Sequence, residues 1–550
     1  MLKNYSFELI SSWFAIDSTI VLWHGRSSMK RVLSLFLIIS IAALGMADGL
    51  AEPLLKVRFA GIDNLTKRDD AKTLRTVWQL KESQAFRNAT LDKLAKRLGD
   101  GNAESEAALR QLLPDLGKDE LFLGIAQGEK RRNLTLMAAM DQTRGSVWTK
   151  TLLRLAKRQG AEQVERTVAG YTGWRVDYNN AKTYGFGYAD GWLLFGAGAE
   201  TLNNLKRAAE QIADTGRPFP TDREHDLKIT LHNRFLPEAL RNWLSNTPKL
   251  THITARLKKD NFFSKAAVEF EKPLPNDIPD WEIPKRTITE PLASFTATRG
   301  AGLVTAQPIL TVLGLDTVND QFYSWSQART KFQSFFSVKV EDPKATIAGL
   351  SKRVNAFRKP NGLGEKYIGQ VEHNPEKPAL TWGNVPLFAP YITIGNSDDK
   401  GYIVGGVFPP DPIKKPIPKA MLDEFNDKEN LVYYNWEITG ERLLKWNLLL
   451  QFAAILSDRR EQLVNQTKGI AFLNAVAPKL GNTITDAFID GNRLMFTRKS
   501  HLGLSALEIA LLTRWLDNPL FPAPTLEWPP APQKKRTPKA KKSKKPTDQK

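Results

Sequence analysis

The chain contains no cysteine. Disulfides, thiolate zinc sites, iron–sulfur clusters and thiol nucleophiles are therefore excluded. Only six histidines are present, and they are scattered. That argues against a multi-histidine metal centre, so neither a metal nor another cofactor is expected. Gly-x-Ser-x-Gly, Gly-Lys-Ser/Thr and His-Glu-x-x-His are missing as well, which removes the usual sequence marks of serine hydrolases, P-loops and zincins. Acids are in deficit: 59 Asp and Glu stand against 78 Lys and Arg, a formal charge of +19. What remains is ordinary globular usage, 42% apolar and 25% charged over 550 residues. A length of that order holds two to four domains at roughly 100–200 residues each.

Near the start, Met29-Lys30-Arg31 precede an uncharged apolar run of 13 residues, 32–44, and then Gly45, Ala47, Gly49 and Ala51. A short basic region, an apolar run and a small-residue exit form the pattern of a secretory signal peptide. The run falls short of the ~20 residues that cross a bilayer comfortably. Residues 29–51 are thus read as a signal peptide cleaved after Ala47 or Ala51, with an uncleaved anchor at 32–44 as the alternative. Residues 1–28 lie ahead of it, where a signal normally begins, and are read as a gene-model extension with translation starting at Met29. The expected location is outside the cytoplasm, in the periplasm or cell envelope. The lack of cysteine suits that space and the cytosol equally.

The other end is basic. Residues 529–550 hold nine Lys or Arg and one acid, Asp548, so they carry +8 of the +19. With no apolar side chain larger than proline after Trp528, residues 526–550 are expected to be a disordered tail. Lys534, Lys535, Arg536, Lys539, Lys541, Lys542, Lys544 and Lys545 are the candidate polyanion-binding residues. For an exported protein the partner is anionic lipid or cell-wall polymer, since basic segments gain about 1 kcal/mol per charge near an anionic surface. Nucleic acid is the partner only if the chain is not exported. No aromatic residue interleaves the tail to stack on bases.

Between the ends, strand-like and helix-like patterns alternate. Residues 54–62, 121–126, 134–140, 174–178, 184–188 and 192–195 read as strands, with Asp190-Gly191 as a hairpin turn. Residues 69–98, 147–158 and 199–212 read as helices. Further strands are expected at 229–232, 253–258 and 266–271. Residues 273–284 are rich in proline and acids and mark a linker, set at 273–285. The second half repeats the alternation, with strands at 294–299, 335–340, 391–394, 402–407 and 431–438. A helix opens at Thr439, and a second Asp-Gly hairpin at Asp490-Gly491 leads into a helix at 505–516. The two Asp-Gly hairpins each lead into a helix, and the order of elements repeats. The fold class is therefore α+β, with largely antiparallel sheets and packed helices, in two related domains at 52–272 and 286–525.

Residues 59–62 (FAGI), 188–198 (YADGWLLFGAG), 294–300 (SFTATRG) and 430–443 (NLVYYNWEITGERL), together with the signal pattern, resemble bacterial secreted proteins of unknown function with paired α+β domains. That resemblance implies envelope localisation and supplies no catalytic residue. The residues themselves offer few candidates. Gly196-Ala-Gly198-Ala-Glu-Thr201 is a partial dinucleotide fingerprint on the wrong kind of strand, better read as a tight strand-to-helix turn. Residues 222–226 (DREHD) hold metal-ligand types but read as a solvated turn. Glu437 is read as facing solvent or pairing with Arg442, with a buried general acid as the alternative. Arg299 is read as a core-strand terminus, and the tryptophans near strands, Trp174, Trp192, Trp382 and Trp436, as core.

The expected function is that of an exported, envelope-associated binding or structural protein. A motif-less hydrolase of envelope polymers and, without export, a nucleic-acid-associated protein are the alternatives. N-terminal sequencing of the expressed protein is expected to find a start after Ala47 or Ala51; a tryptic peptide spanning residues 4–26 would refute the reading of residues 1–28.

Overall fold

A computed structural model describes residues 53–523, apart from short internal stretches of which the longest are 236–245, 301–316, 359–369 and 457–466. The signal pattern and the basic tail lie outside the described residues. The architecture is α+β. In chain order the first ten strands are β1 (Pro53–Phe59), β2 (Leu121–Gln127), β3 (Arg132–Ala139), β4 (Glu162–Val168), β5 (Tyr171–Tyr178), β6 (Lys182–Ala189), β7 (Trp192–Ala197), β8 (Leu227–His232), β9 (Pro248–Lys258) and β10 (Asn261–Phe270). The second ten are β11 (Leu292–Arg299), β12 (Thr317–Gln327), β13 (Ser334–Val340), β14 (Gln370–Asn374), β15 (Ala379–Gly383), β16 (Tyr391–Ile394), β17 (Tyr402–Gly406), β18 (Leu431–Ile438), β19 (Asn482–Asp490) and β20 (Arg493–Ser500).

All twenty belong to one sheet, and each pairing is antiparallel. The hydrogen-bonded path through the first ten runs 4-5-6-7-3-2-1-8-9-10. Through the second ten it runs 14-15-16-17-13-12-11-18-19-20. Strand n and strand n+10 occupy the same place in the two paths. The halves meet where their last strands pair, β10 against β20, from Phe262↔Ser500 to Glu269↔Arg493.

This order corrects one detail of the sequence reading. The Asp-Gly turns at 190–191 and 490–491 are not counterparts, because one joins β6 to β7 and the other β19 to β20. The counterpart of the second is the β9–β10 turn, Lys259-Asp260, where both residues have positive φ (50° and 61°) without a glycine. The Asp260 carboxylate accepts from the Thr73 amide and hydroxyl, both at 2.7 Å. These two bonds, reaching into the first turn of a helix, help to hold a backbone conformation that Asp tolerates better than most residues.

The helices are α1 (Ile62–Thr66), α2 (Lys72–Gln79), α3 (Lys81–Leu98), α4 (Ala103–Leu112), α5 (Gln142–Arg158), α6 (Thr201–Thr215), α7 (Pro343–Arg358), α8 (Lys419–Asn426), α9 (Thr439–Leu456), α10 (Lys468–Val476) and α11 (Ala506–Asp517). The single helix read over 69–98 is broken at Leu80, whose ψ of 139° is extended. β4, EQVERTV, was not legible because a charged edge strand lacks an apolar face. The chain turns from β1 into α1 at Gly61 (φ 96°), where a Cβ would lie 2.5 Å from the Asp119 backbone.

Helices cover both faces of the sheet. On one face α6 packs over Phe122, Met137 and Leu194, and α8 over Phe295, Tyr323 and Tyr434. On the other, α5 covers the first half and α7 the second, with α1, α2 and α9–α11 over the middle. α5 and α7 follow strands 3 and 13, and α6 and α8 follow strands 7 and 17, so the helix placement repeats too. Among the described residues no helix is long and apolar enough to cross a membrane.

Residues 273–285 are strapped to the second half rather than hanging between domains. Trp281 packs edge-on to Phe425 (centroids 5.1 Å apart) and under the Arg299 guanidinium at 4.7 Å. Proline-rich chain offers few amide donors, so side chains satisfy its carbonyls. Arg299 donates to Pro279 O (2.7 Å), Gln321 to Asp280 O (2.6 Å) and Tyr402 to Glu282 O (2.6 Å).

The halves also interlock through helices. Phe86 of α3 stacks on Phe472 of α10 at 5.0 Å, and the Lys93 ammonium donates to Leu516 O at the end of α11. Phe86→Ala removes a buried ring from this junction and is expected to cost about 3–5 kcal/mol. Urea denaturation should show a lower midpoint in one transition common to both halves.

Candidate anion-binding interface

The charged candidates that lie within the described residues prove to be structural. The tail residues Lys534, Lys535, Arg536, Lys539, Lys541, Lys542, Lys544 and Lys545 lie outside the described residues. At the glycine-rich turn, Gly198 has φ 118° and a Cβ there would sit 2.2 Å from Asn133 Oδ1. That oxygen accepts from the Glu200 amide at 3.2 Å. Asn133 therefore fills the place a phosphate would need at the start of α6. Of residues 222–226, Glu224 to Asp226 are described. Asp226 receives both Arg68 Nη1 (3.0 Å) and the Leu257 amide (2.7 Å), tying β9 to the loop after α1. Among the described residues no group of three His, Asp or Glu is placed to hold a metal. Arg299, buried at the end of β11, donates to Leu431 O at 2.7 Å as well as to the strap.

Glu437 departs from the sequence reading. It neither faces solvent nor pairs with Arg442; it is 5% exposed beneath α11. β18 is an interior strand, and α11 closes over its helix-covered face. Glu437 Oε1 accepts the Ala506 amide, the first of α11, at 2.7 Å. Ser505 and Glu508 complete a capping box at the same end. Arg498 of β20 grips Glu508 with both terminal nitrogens, at 2.6 and 3.1 Å. The two carboxylates diverge in acidity. Burial pushes Glu437 up to about 7, against the helix amide and Arg498. Desolvation pushes Glu508 up as well, but the Arg498 charge together with hydrogen bonds from Ser505 and Arg498 outweighs it and holds the carboxyl below its usual range.

α9 contributes a second polar group. Arg442, Lys445, Trp446 and Leu449 share one face at helical spacing and line a small cleft with Phe332 and Ser334. Lys445 donates to Gln327 O at 2.7 Å, and burial together with Arg442 pushes its ammonium down to about 8.

The exposed cations gather elsewhere, on the middle of the sheet. Register places Arg256, Phe263 and Lys499 side by side across β9, β10 and β20. The next row on the same face is Lys228, Thr254, Lys265 and Thr497, and the next is Thr230, His252, Ala267 and Met495. Lys228, Arg256, Lys258, Lys265 and Lys499 are all exposed. Phe263 is 41% exposed at their centre. The alternate residues point the other way: Leu257 is fully buried and packs with Phe262 against Leu65 and Leu74 under α1 and α2. The open face is bounded by α6 on one side and α8 on the other, each sheltering its own half. Arg58, Glu120 and Arg217 close the first-half border as an ion-pair chain (2.6 and 3.1 Å), and Lys428 with Asp486 (2.7 Å) marks the other. None of Arg256, Lys258, Lys265 or Lys499 takes part in an ion pair among the described residues. The sequence signal for this face was weak: alternating cations in β9, β10 and β20 become one patch only through cross-strand register.

No protein-family model matches the chain, and no curated protein matches it. Among solved structures it has a slight likeness to one titled "Structure of crystal form III of TP0453": TM-score 0.23, 8% identity, over 40% of this chain and 76% of that one.

The Glu437 environment sets a pH dependence. Its pKa rises from 4.5 to about 7 on folding, so between these values the folded state keeps a proton that the unfolded state has lost. This group therefore makes stability fall as pH rises from about 4.5 through 7. Glu437→Gln keeps a carbonyl oxygen for the Ala506 amide and is expected to flatten that slope. Denaturant midpoints at about pH 5 and pH 7.5 check it; an unchanged difference between them would refute the assignment.

Proposed function

We propose that the protein is a non-enzymatic binding protein of the bacterial envelope that engages anionic partners. The observation that carries the reading is the cationic face on β8, β9, β10 and β20, left uncovered between α6 and α8 among the described residues. Exposed cations of one sign on a rigid sheet attract a polyanion at long range, within the ~10 Å screening length at 0.1 M salt. The Lys-rich tail adds a second attractor of the same sign. The signal pattern at 29–51 supports anionic lipid or wall polymer as partners over nucleic acid. A hydrolase of such polymers would call for two close carboxylates or a Ser–His pair open to substrate. Glu437 and Glu508 are instead committed to the first turn of α11, with Glu437 sealed beneath it.

Two variants test this at low salt. Deleting residues 533–550 and reversing charge in Lys265→Glu/Lys499→Glu are each expected to weaken binding to anionic vesicles or wall polymer by about tenfold. Co-sedimentation reads both. Wild-type binding by both variants would overturn the proposal.

A further inference from the structure

The composition of the face narrows the partner. Phe263 stands between Arg256 and Lys499 on the strands to either side, about 5 Å away in each direction. Lys265 follows two residues along the same face of β10. Met495 and Ala267, a row beyond, are half-buried. The patch is thus an exposed aromatic side chain ringed by cations, on a broad sheet with its helices set back to the sides. A thread-like polyanion in solution gains from a line of charges and leaves such a ring in water. Single-stranded nucleic acid is met by several stacking aromatics in series, whereas Phe263 is the one exposed phenylalanine on these central strands among the described residues. An anionic bilayer satisfies both features at once: headgroups meet the cations, and the ring enters the interfacial layer.

We propose that this face docks on an anionic lipid bilayer, with Phe263 inserted among the headgroups and Arg256, Lys258, Lys265 and Lys499 on their phosphates. The proposal rests on the anion-binding reading above and adds the kind of partner. It assigns attraction to the four cations and lipid selectivity to Phe263.

The full chain provides the test because it has no native thiol. Phe263→Cys, labelled with an environment-sensitive fluorophore, is expected to brighten and shift to the blue on vesicles of phosphatidylcholine with phosphatidylglycerol. It should not respond to phosphatidylcholine alone or to soluble polyphosphate. Val164→Cys, an exposed position on β4, should not respond to any of them. Phe263→Ser should lose about threefold or more of vesicle binding and keep polyphosphate binding. Lys265→Glu/Lys499→Glu should lose both. A silent probe at 263 with full vesicle binding by Phe263→Ser would overturn the bilayer proposal while leaving the anion-binding reading intact. Unchanged binding of vesicles and polyphosphate by the charge-reversed variant would overturn both. Tighter binding of single-stranded DNA than of anionic vesicles by the wild-type chain would place the partner in another class and refute the proposal.

Discussion

The ladder between β10 and β20 is the constraint on which the rest of the structure depends. Each half arranges ten strands along one path, and each path ends in a strand whose outer edge would present unpaired amides and carbonyls. Pairing the last strand of one half with the last strand of the other removes both edges. The result is one antiparallel sheet of twenty strands. Among the described residues its remaining edges are β4 and β14, the fourth strand of each half, and β4 carries Glu162, Glu165 and Arg166 in the manner of a protected edge.

That seam dictates where helices can lie. The helices after strands 3 and 13 and after strands 7 and 17 cover the outer parts of each half and bury its aromatic clusters. Over the middle, one face receives α1, α2 and α9–α11. Among the described residues the opposite face of the middle receives none, because α6 and α8 belong to the outer parts. The exposed residues there are therefore a consequence of topology. What the sequence adds is their charge: lysine and arginine at the outward positions of β8, β9, β10 and β20.

Charge placement divides along the same line. Buried and half-buried ionic groups are spent on architecture: Arg498 with Glu508 of α11, Asp226 with Arg68, Arg299 on the strap. Burying a charge costs several kcal/mol unless partners satisfy it, and each of these has carbonyls, amides or an opposite charge to do so. Arg256, Lys258, Lys265 and Lys499 of the central face stay exposed to water. Glu437 lies between the two cases, satisfied by a helix amide yet desolvated enough to hold its proton near neutrality.

The sequence by itself determined the α+β class, most strands, the second half's hairpins and the basic excess, because period-2 and helical apolar patterns and Asp-Gly turns are local signals. It also marked Arg299 and the strand tryptophans as core. It could not place Glu437, since whether an outward-looking acid in VYYNWEI is buried depends on a helix 69 residues away. It misaligned the two Asp-Gly hairpins, because the true counterpart turn, Lys259-Asp260, is held by Thr73 from a distant helix and has no glycine to announce it. The cationic face was hidden for the same reason. Its members come from four strands spread over residues 228–499, and only cross-strand register, set by hydrogen bonds between distant segments, brings them onto one side of one sheet.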